Sequence, residues 1–366
     1  MSDKIPFLDL KRQYLSLKTQ IMKGVEDVFA RTAFTNGFSV ENFEKKFAAY
    51  CHVQYAVAVS NGTTALQLAL RALDIKQGDE VIVPANTFIA TAWAPAYLHA
   101  IPVFVDCDAD YWQIDAAMVE KKISKKTKAI IGVHLYGHPF DVDRLKDIAR
   151  ANKIFLIEDS AQAHGAAYKG QRVGGLAEMG CFSFYPGKNL GTYGEGGGIT
   201  TNNRAYAERI ARLRNHASVN KYYHEEIGYN MRMGGIEGMV LDVKLDYLDA
   251  WNSRRREIAS MYLAGIKNAK IRLPKEAPYA KSVYHLFVVT TDKREELMQY
   301  LNSKNIFPGI HYPVPCHLQK AFAHLGYREG SLPQAEYLST HCLSLPMFPE
   351  LTNEEVAIVI DAINAY

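Results

Sequence analysis

Ala129-Ile-Ile-Gly-Val-His134 is a β-rich run, residues 140–152 place apolar side chains at helical spacing, and Ile154-Phe-Leu-Ile-Glu-Asp159 is β-rich again. Strand, helix, strand in that order is the mark of a parallel pair joined by a crossover helix. The same alternation continues outward. Candidate strands at 55–59, 80–83 and 101–105 lie upstream, and others at 180–184 and 198–201 lie downstream. Segments 64–73, 88–98 and 204–212 carry helical patterns between them. Near-continuous apolar strands suit a sheet covered on both faces. The expected fold class is therefore α/β, a mostly parallel sheet between helices. Sites in such sheets sit beyond the carboxyl ends of the strands. Asn61-Gly62, Asp159 and the segment after Phe184 all fall there.

From about residue 235 a long helical pattern runs through Val243-Lys-Leu-Asp-Tyr-Leu-Asp-Ala-Trp251 toward residue 266. It divides a large domain, 1–235, from a smaller one, 236–366. The latter reads as a strand at 284–290, a helix at 293–304, an irregular stretch through Pro313 and Pro315, and a terminal helix at 353–365.

Composition bounds the function. With 42 Lys and Arg against 39 Asp and Glu, the formal charge of +3 argues against nucleic acid or an acidic membrane surface as partner. No apolar run approaches about 18 residues, so no membrane span is expected. The N-terminus, Met-Ser-Asp-Lys-Ile-Pro-Phe, lacks a signal-peptide core. Five scattered cysteines form neither a disulfide framework nor metal-ligand spacing, which suits a reducing cytoplasm. A cytoplasmic enzyme without a metal is the expectation.

Chemistry concentrates in two stretches, Ile157-Glu-Asp-Ser-Ala-Gln-Ala-His-Gly165 and Gly180-Cys-Phe-Ser-Phe-Tyr-Pro-Gly-Lys-Asn-Leu-Gly191. Lys188 alone would read as a solvated loop lysine. Here it follows an apolar strand and precedes a run of glycines that permits close backbone approach to a flat group. A lysine that forms an imine must be partly desolvated, so that its amine is not locked in the charged form. Asp159 ends a strand, where it would cap a helix or hold a pyridine nitrogen protonated. Gln162 is placed to reach a ring oxygen. Ser60-Asn-Gly-Thr-Thr-Ala opens a helix, either an ordinary cap or an anion site built from Gly62, Thr63, Thr64 and the Ser183 hydroxyl. Phe88 would stack on an aromatic ring or join the core. Lysine, acid and phosphate cup in this order point to pyridoxal phosphate.

Across nearly its whole length the chain resembles the nucleotide-sugar aminotransferases of the DegT/DnrJ/EryC1/StrS family, fold-type I enzymes dependent on pyridoxal phosphate. The matching landmarks are Pro6-Phe-Leu-Asp-Leu10, Ser60-Asn-Gly-Thr63, Gly78-Asp-Glu-Val81, Pro84-Ala-Asn-Thr87 and His134-Leu-Tyr-Gly137. Glu158–Gly165, Ser183-Phe-Tyr-Pro-Gly-Lys188, Gly228-Tyr-Asn-Met-Arg232 and His311-Tyr-Pro-Val-Pro315 complete the set. The resemblance implies Lys188 as the Schiff-base residue, Asp159 at the ring nitrogen and Gln162 at the ring hydroxyl. It also implies Gly62, Thr63 and Ser183 at the phosphate, with Asn230 arriving from the neighbouring subunit of a homodimer. Some members carry histidine in place of the lysine and act as dehydratases. This chain keeps lysine. It departs from many relatives at Met233-Gly-Gly-Ile-Glu-Gly238, where Glu237 replaces a common amide and two glycines open a helix.

The stretch 214–224 is either a solvated basic turn or a nucleotide-sugar contact, with Lys221, Tyr222, Tyr223 and His224 supplying charge and hydrogen bonds. It resembles the Lys-Tyr-x-His run of enzymes that aminate C3 of a 3-keto-6-deoxy sugar. C3 is favoured on that analogy; C4 of a nucleotide sugar or a keto-cyclitol is the alternative. A non-catalytic regulatory protein is the reading from another class. His164 would face the sugar or pack at the pocket edge, and His311 with Tyr312 would line the entrance. Arg232 would seat the carboxylate of the donor, L-glutamate, or serve a dimer contact. A ping-pong amino transfer is the mechanism expected.

Overall fold

The computed structural model describes residues 4–220 and 222–366. Seven strands form the central sheet: β1 (Tyr55–Val59), β2 (Glu80–Pro84), β3 (Ile101–Val105), β4 (Thr127–Val133), β5 (Phe155–Asp159), β6 (Met179–Ser183) and β7 (Gly197–Thr201). Their order is β1-β7-β6-β5-β4-β2-β3. β7 runs antiparallel to both neighbours, and every other pair is parallel.

Side chains alternate across a strand, so a sheet buried on both faces needs apolar residues at every position. The middles of β2, β4 and β5 supply them. Val81, Val83, Ala129, Ile131 and Ile157 enter one core, while Ile82, Ile130 and Leu156 enter another on the opposite face. Helices Gly62–Ala72 and Val142–Asn152 lie on these two cores.

Two helices precede the sheet, Leu10–Ala30 and Phe38–Tyr50. Asp9 caps the first by accepting from the Lys11 and Arg12 amides. Phe43 and Phe47 of the second pack edge-on to Phe184, and Phe47 also to Phe182. The long helical pattern expected over 235–266 divides into Gly235–Leu245 and Leu248–Gly265. The glycine pair at its start has a packing reason. A Cβ on Gly235 would lie 1.8 Å from the Ala33 carbonyl oxygen, and Gly235 N–H donates to the Phe34 carbonyl at 3.0 Å.

A further core gathers Ile258, Tyr262, Phe287, Val289, Leu301, Phe348 and Val359. Strand Phe287–Thr290 pairs antiparallel with Cys342–Leu345 there, three residues shorter at its start than the expected 284–290. Ile5 joins this core and bridges to Ile306, so the N-terminal segment is tied to the C-terminal part. No helix among the described residues is long and apolar enough to cross a membrane.

Candidate active site

Asp159 ends β5 and is buried. Its Oδ2 accepts from the Thr91 hydroxyl at 2.8 Å and its Oδ1 from the Ala161 amide at 3.2 Å. Burial raises its carboxyl above the usual range, opposed by those bonds and by the charge of Lys188. Lys188 lies in the turn after β6, its backbone N–H bonded to the Tyr185 carbonyl at 2.9 Å. Burial pulls its amine down to about 8, against the attraction of Asp159. The amine makes no hydrogen bond or ion pair with any described residue. A pKa near 8 leaves roughly one amine in ten neutral at pH 7, against about one in three thousand at the ordinary value. That is the state in which a lysine is a nucleophile.

Gln162 is held firmly. Its Oε1 accepts from the Tyr136 amide at 2.6 Å, so the amide nitrogen points to the Tyr312 hydroxyl at 3.0 Å. The Phe88 ring, half exposed, meets Tyr312 at 5.7 Å between centroids. Phe88 lies just ahead of helix Ala90–Ala96, not in it. His311 stacks on Phe7 at 5.3 Å and bonds Ser344 at 2.9 Å, and its carbonyl accepts from the Tyr136 hydroxyl at 2.7 Å. Glu158 points to the other face, where it binds His134 at 3.0 Å and accepts from the backbone amides of Gly174, Leu176 and Ala177.

The helix that starts at Gly62 presents its first two amides, Gly62 and Thr63, without partners among the described residues. Asn61 and Thr64 form a capping box: Asn61 Oδ1 accepts from Thr64 N–H at 2.9 Å and Thr64 Oγ1 from Asn61 N–H at 3.1 Å. For Thr64 this is the capping role, one of the two expected for the segment. Both its amide and its hydroxyl serve the cap, and the hydroxyl also donates to the Asn61 carbonyl at 2.8 Å. Gly62 and Thr63 remain available. A Cβ on Gly62 would sit 2.6 Å from Ser183 Cβ, so only glycine lets the serine lie against the helix start.

His164 is fully buried, its ring 5.3 Å from Phe182 and 5.6 Å from Phe184, which is the packed one of the two placements expected for it. Burial pulls its imidazole down to about 3. Asn230 is exposed and bonds Arg232 Nη2 at 2.8 Å, while Arg232 Nη1 bonds Asn215 at 3.1 Å. Tyr223 and His224 lie on a two-stranded hairpin with Ser218–Asn220. Tyr222 and Tyr223 are 81% and 72% exposed. Lys221 lies outside the described residues. Asn230, Arg232, Tyr223 and His224 make no hydrogen bond or ring contact with Lys188, Asp159 or Gln162 within the one chain.

The DegT/DnrJ/EryC1/StrS aminotransferase family model matches residues 16–364. The chain belongs to this family. A Streptomyces venezuelae relative, dTDP-3-amino-3,4,6-trideoxy-alpha-D-glucose transaminase, is 44% identical over 99% of this chain and 96% of its own. The erythromycin biosynthesis sensory transduction protein EryC1 of Saccharopolyspora erythraea is 45% identical over 99% of each chain. The crystal structure of S. venezuelae DesV in complex with a ketimine intermediate superposes with a TM-score of 0.98, covering 100% of this chain and 98% of that one at 44% identity. A sugar aminotransferase of Streptococcus pneumoniae in its PLP form, 28% identical, has a TM-score of 0.89 and covers 100% of this chain and 98% of its own.

This DegT/DnrJ/EryC1/StrS aminotransferase is an enzyme whose site residues fit a phosphorylated pyridine aldehyde. The uncommitted Lys188 amine, the buried Asp159 carboxylate and the free amides at Gly62 and Thr63 match its three functional groups. Sequence reasoning missed Thr91 and Tyr136, which orient Asp159 and Gln162. Thr91 lies one helical turn after Thr87 of the Pro84-Ala-Asn-Thr87 landmark, and the two hydroxyls meet at 3.0 Å. That i, i+4 threonine pair was a signal open to reading.

Proposed function

We propose that this aminotransferase uses pyridoxal phosphate to move the amino group of L-glutamate onto C3 of a nucleotide-linked 3-keto-6-deoxyhexose, as a cytoplasmic homodimer. The observation that carries it is the Lys188 amine, drawn down by burial and bonded to no described residue, with the buried Asp159 carboxylate attracting it. When bound, the cofactor supplies an aldehyde and a protonated ring that accepts electrons from the reacting carbon. Asp159 holds the proton at the ring nitrogen, and Gln162 donates to the ring hydroxyl. Gly62, Thr63 and Ser183 bind the phosphate, and Phe88 covers the ring. Lys188, whose amine has no other partner among the described residues, would serve as the base that moves a proton from and to the substrate carbon. Amino transfer is then ping-pong, donor product leaving before the keto sugar enters.

His311 and Tyr312 line the entrance. Asn230 of the partner subunit reaches the phosphate, and Arg232 seats the glutamate carboxylate. Exposed aromatic side chains support the dimer: Phe88, Trp93, Tyr97 and Tyr185 near the site, and Tyr222 and Tyr223 on the hairpin. C3 rests on the named reaction of the S. venezuelae relative and on the 221–224 stretch. The regulatory name of the S. erythraea relative raises a second reading, but a lysine amine drawn down to about 8 beside a buried carboxylate supports turnover over passive binding.

The test combines the protein, pyridoxal phosphate, glutamate and a dTDP-4-keto-6-deoxy sugar, with and without a 3,4-ketoisomerase, and reads products by mass and NMR. Amination only with the isomerase is expected. Amination without it places the nitrogen on C4, and no amination in either arm favours the regulatory reading.

A further inference from the structure

Asn189 follows Lys188 directly and is buried. Its Nδ2 donates to Asn252 Oδ1 at 2.9 Å and to the Val283 carbonyl at 3.2 Å, which leaves Oδ1 as the accepting end. His285 Nδ1 lies 3.0 Å from that oxygen. An amide oxygen cannot donate, so His285 carries its proton on Nδ1. Asn252 closes the other side, its Nδ2 donating to the His164 carbonyl at 2.8 Å. A Cβ on Gly165 would come within 2.7 Å of that nitrogen and 2.3 Å of the Tyr50 hydroxyl, so the turn after His164 stays glycine.

Two bonded amides therefore join four pieces of chain. These are the turn holding Lys188, the turn beyond Asp159, helix Leu248–Gly265 and the segment ahead of strand Phe287–Thr290. Burial holds the His285 imidazole well below its usual range, and the charges of Lys188 and Arg255, with His311 and His164 nearby, act in the same direction. It is a neutral donor throughout the neutral range.

We propose that His285 is a positioning residue for the transfer: through its Nδ1–H and Asn189 it fixes the turn carrying Lys188 from the C-terminal part of the chain. This rests on Lys188 being the residue that binds the cofactor. Without the donor, Asn189 Oδ1 is buried and unsatisfied, and the amide turns to find another partner. The lysine shifts with its neighbour.

Two variants separate the imidazole's nitrogens. In His285→Asn the amide nitrogen falls near the Nδ1 position and can still donate to Asn189. In His285→Gln it falls near Nε2 and misses. Two readouts on the cofactor-loaded enzyme are the pH midpoint of the visible band of lysine-bound cofactor and kcat against KM for the glutamate half-reaction. For His285→Gln the expected result is a midpoint displaced by about half a pH unit or more, with kcat lowered roughly tenfold or more and KM little changed. His285→Asn should keep the midpoint and recover most of that kcat. Variants that behave alike, whether both unchanged or both displaced, would overturn the proposal. Should His285→Gln not fold, 15N shifts of the wild-type imidazole read the tautomer: the proton on Nδ1 agrees, and the proton on Nε2 overturns it. Lys188→Ala keeps the two ideas apart. If it still forms the lysine-bound band, the cofactor assignment fails; if it loses the band while His285→Gln stays unchanged, only the His285 role fails.

Discussion

At Asp159 the chain holds a carboxylate where it is uncomfortable alone. A carboxyl whose folded pKa lies above its unfolded value adds stability only at low pH and loses it as pH rises through the folded value. At pH 7 the cofactor-free protein therefore carries a strained group that a ring cation would relieve. Asp159→Asn keeps the shape: its oxygen can still accept from the Ala161 amide, and its NH2 can donate to the Thr91 hydroxyl, which turns to donate to Thr87. Its expected outcome is a higher melting temperature without cofactor, with kcat reduced on the order of a hundredfold or more once cofactor is added. Calorimetry of the cofactor-free pair and steady-state rates check the two halves; a lower melting temperature would contradict the burial argument. Lys188 and Asp159 were legible as candidates because one follows an apolar strand and the other ends one, a local pattern. The placement of His164 was not. Its inward turn beneath Phe182 and Phe184 depends on packing between segments that the linear order does not show. Thr64 is a different case, since Asn61 and Thr64 already have capping-box spacing in the sequence.

Among the elements, the strands were readable because burial on both faces leaves runs with no polar interruption. Tyr55–Val59 and Ile101–Val105 fall at the expected residues. Helix Leu10–Ala30 carries a different signal: Leu17, Ile21, Val25 and Val28 recur at helical spacing and meet one core, while Leu15, Met22 and Phe29 lie exposed beside that stripe. The break at 246–247 is hidden: Leu241, Leu245 and Leu248 share one core across it. The glycine pair at 234–235 was visible but unexplained, because its reason is the approach of the chain at Ala33. Gly235→Ala forces a methyl into that carbonyl at the first turn of Gly235–Leu245. The expected destabilisation is about 1–3 kcal/mol, read as a lowered denaturant midpoint at unchanged slope. A wild-type midpoint would show that the Ala33 segment yields without cost.

Over the whole molecule, charge balance near neutral hides an asymmetry in how the histidines are housed. Burial pulls His138 down to about 4 and His164 to about 3, and it depresses His311 and His285 as well. His138 uses both nitrogens as a neutral ring, Nδ1 donating to the Pro139 carbonyl at 2.8 Å and Nε2 accepting from the Ala277 amide at 2.9 Å. Protonation would remove that acceptor. Below the unfolded imidazole value near 6.5 the unfolded chain takes up these protons and the native chain does not, so stability must fall as pH falls. For His138 and His164 alone the slope is roughly 1.4 kcal/mol per pH unit each, about 2 kcal/mol apiece by pH 5. Asp159 acts in the other sense and offsets part of it, because its raised carboxyl favours the native state in acid. The histidines outnumber it. Urea unfolding of the cofactor-free protein at pH 7, 6 and 5 should give a midpoint that drops steadily over that window. A flat profile would mean that these rings accept protons in place, and the neutral network around Asn189 would then have to tolerate a cation at His285.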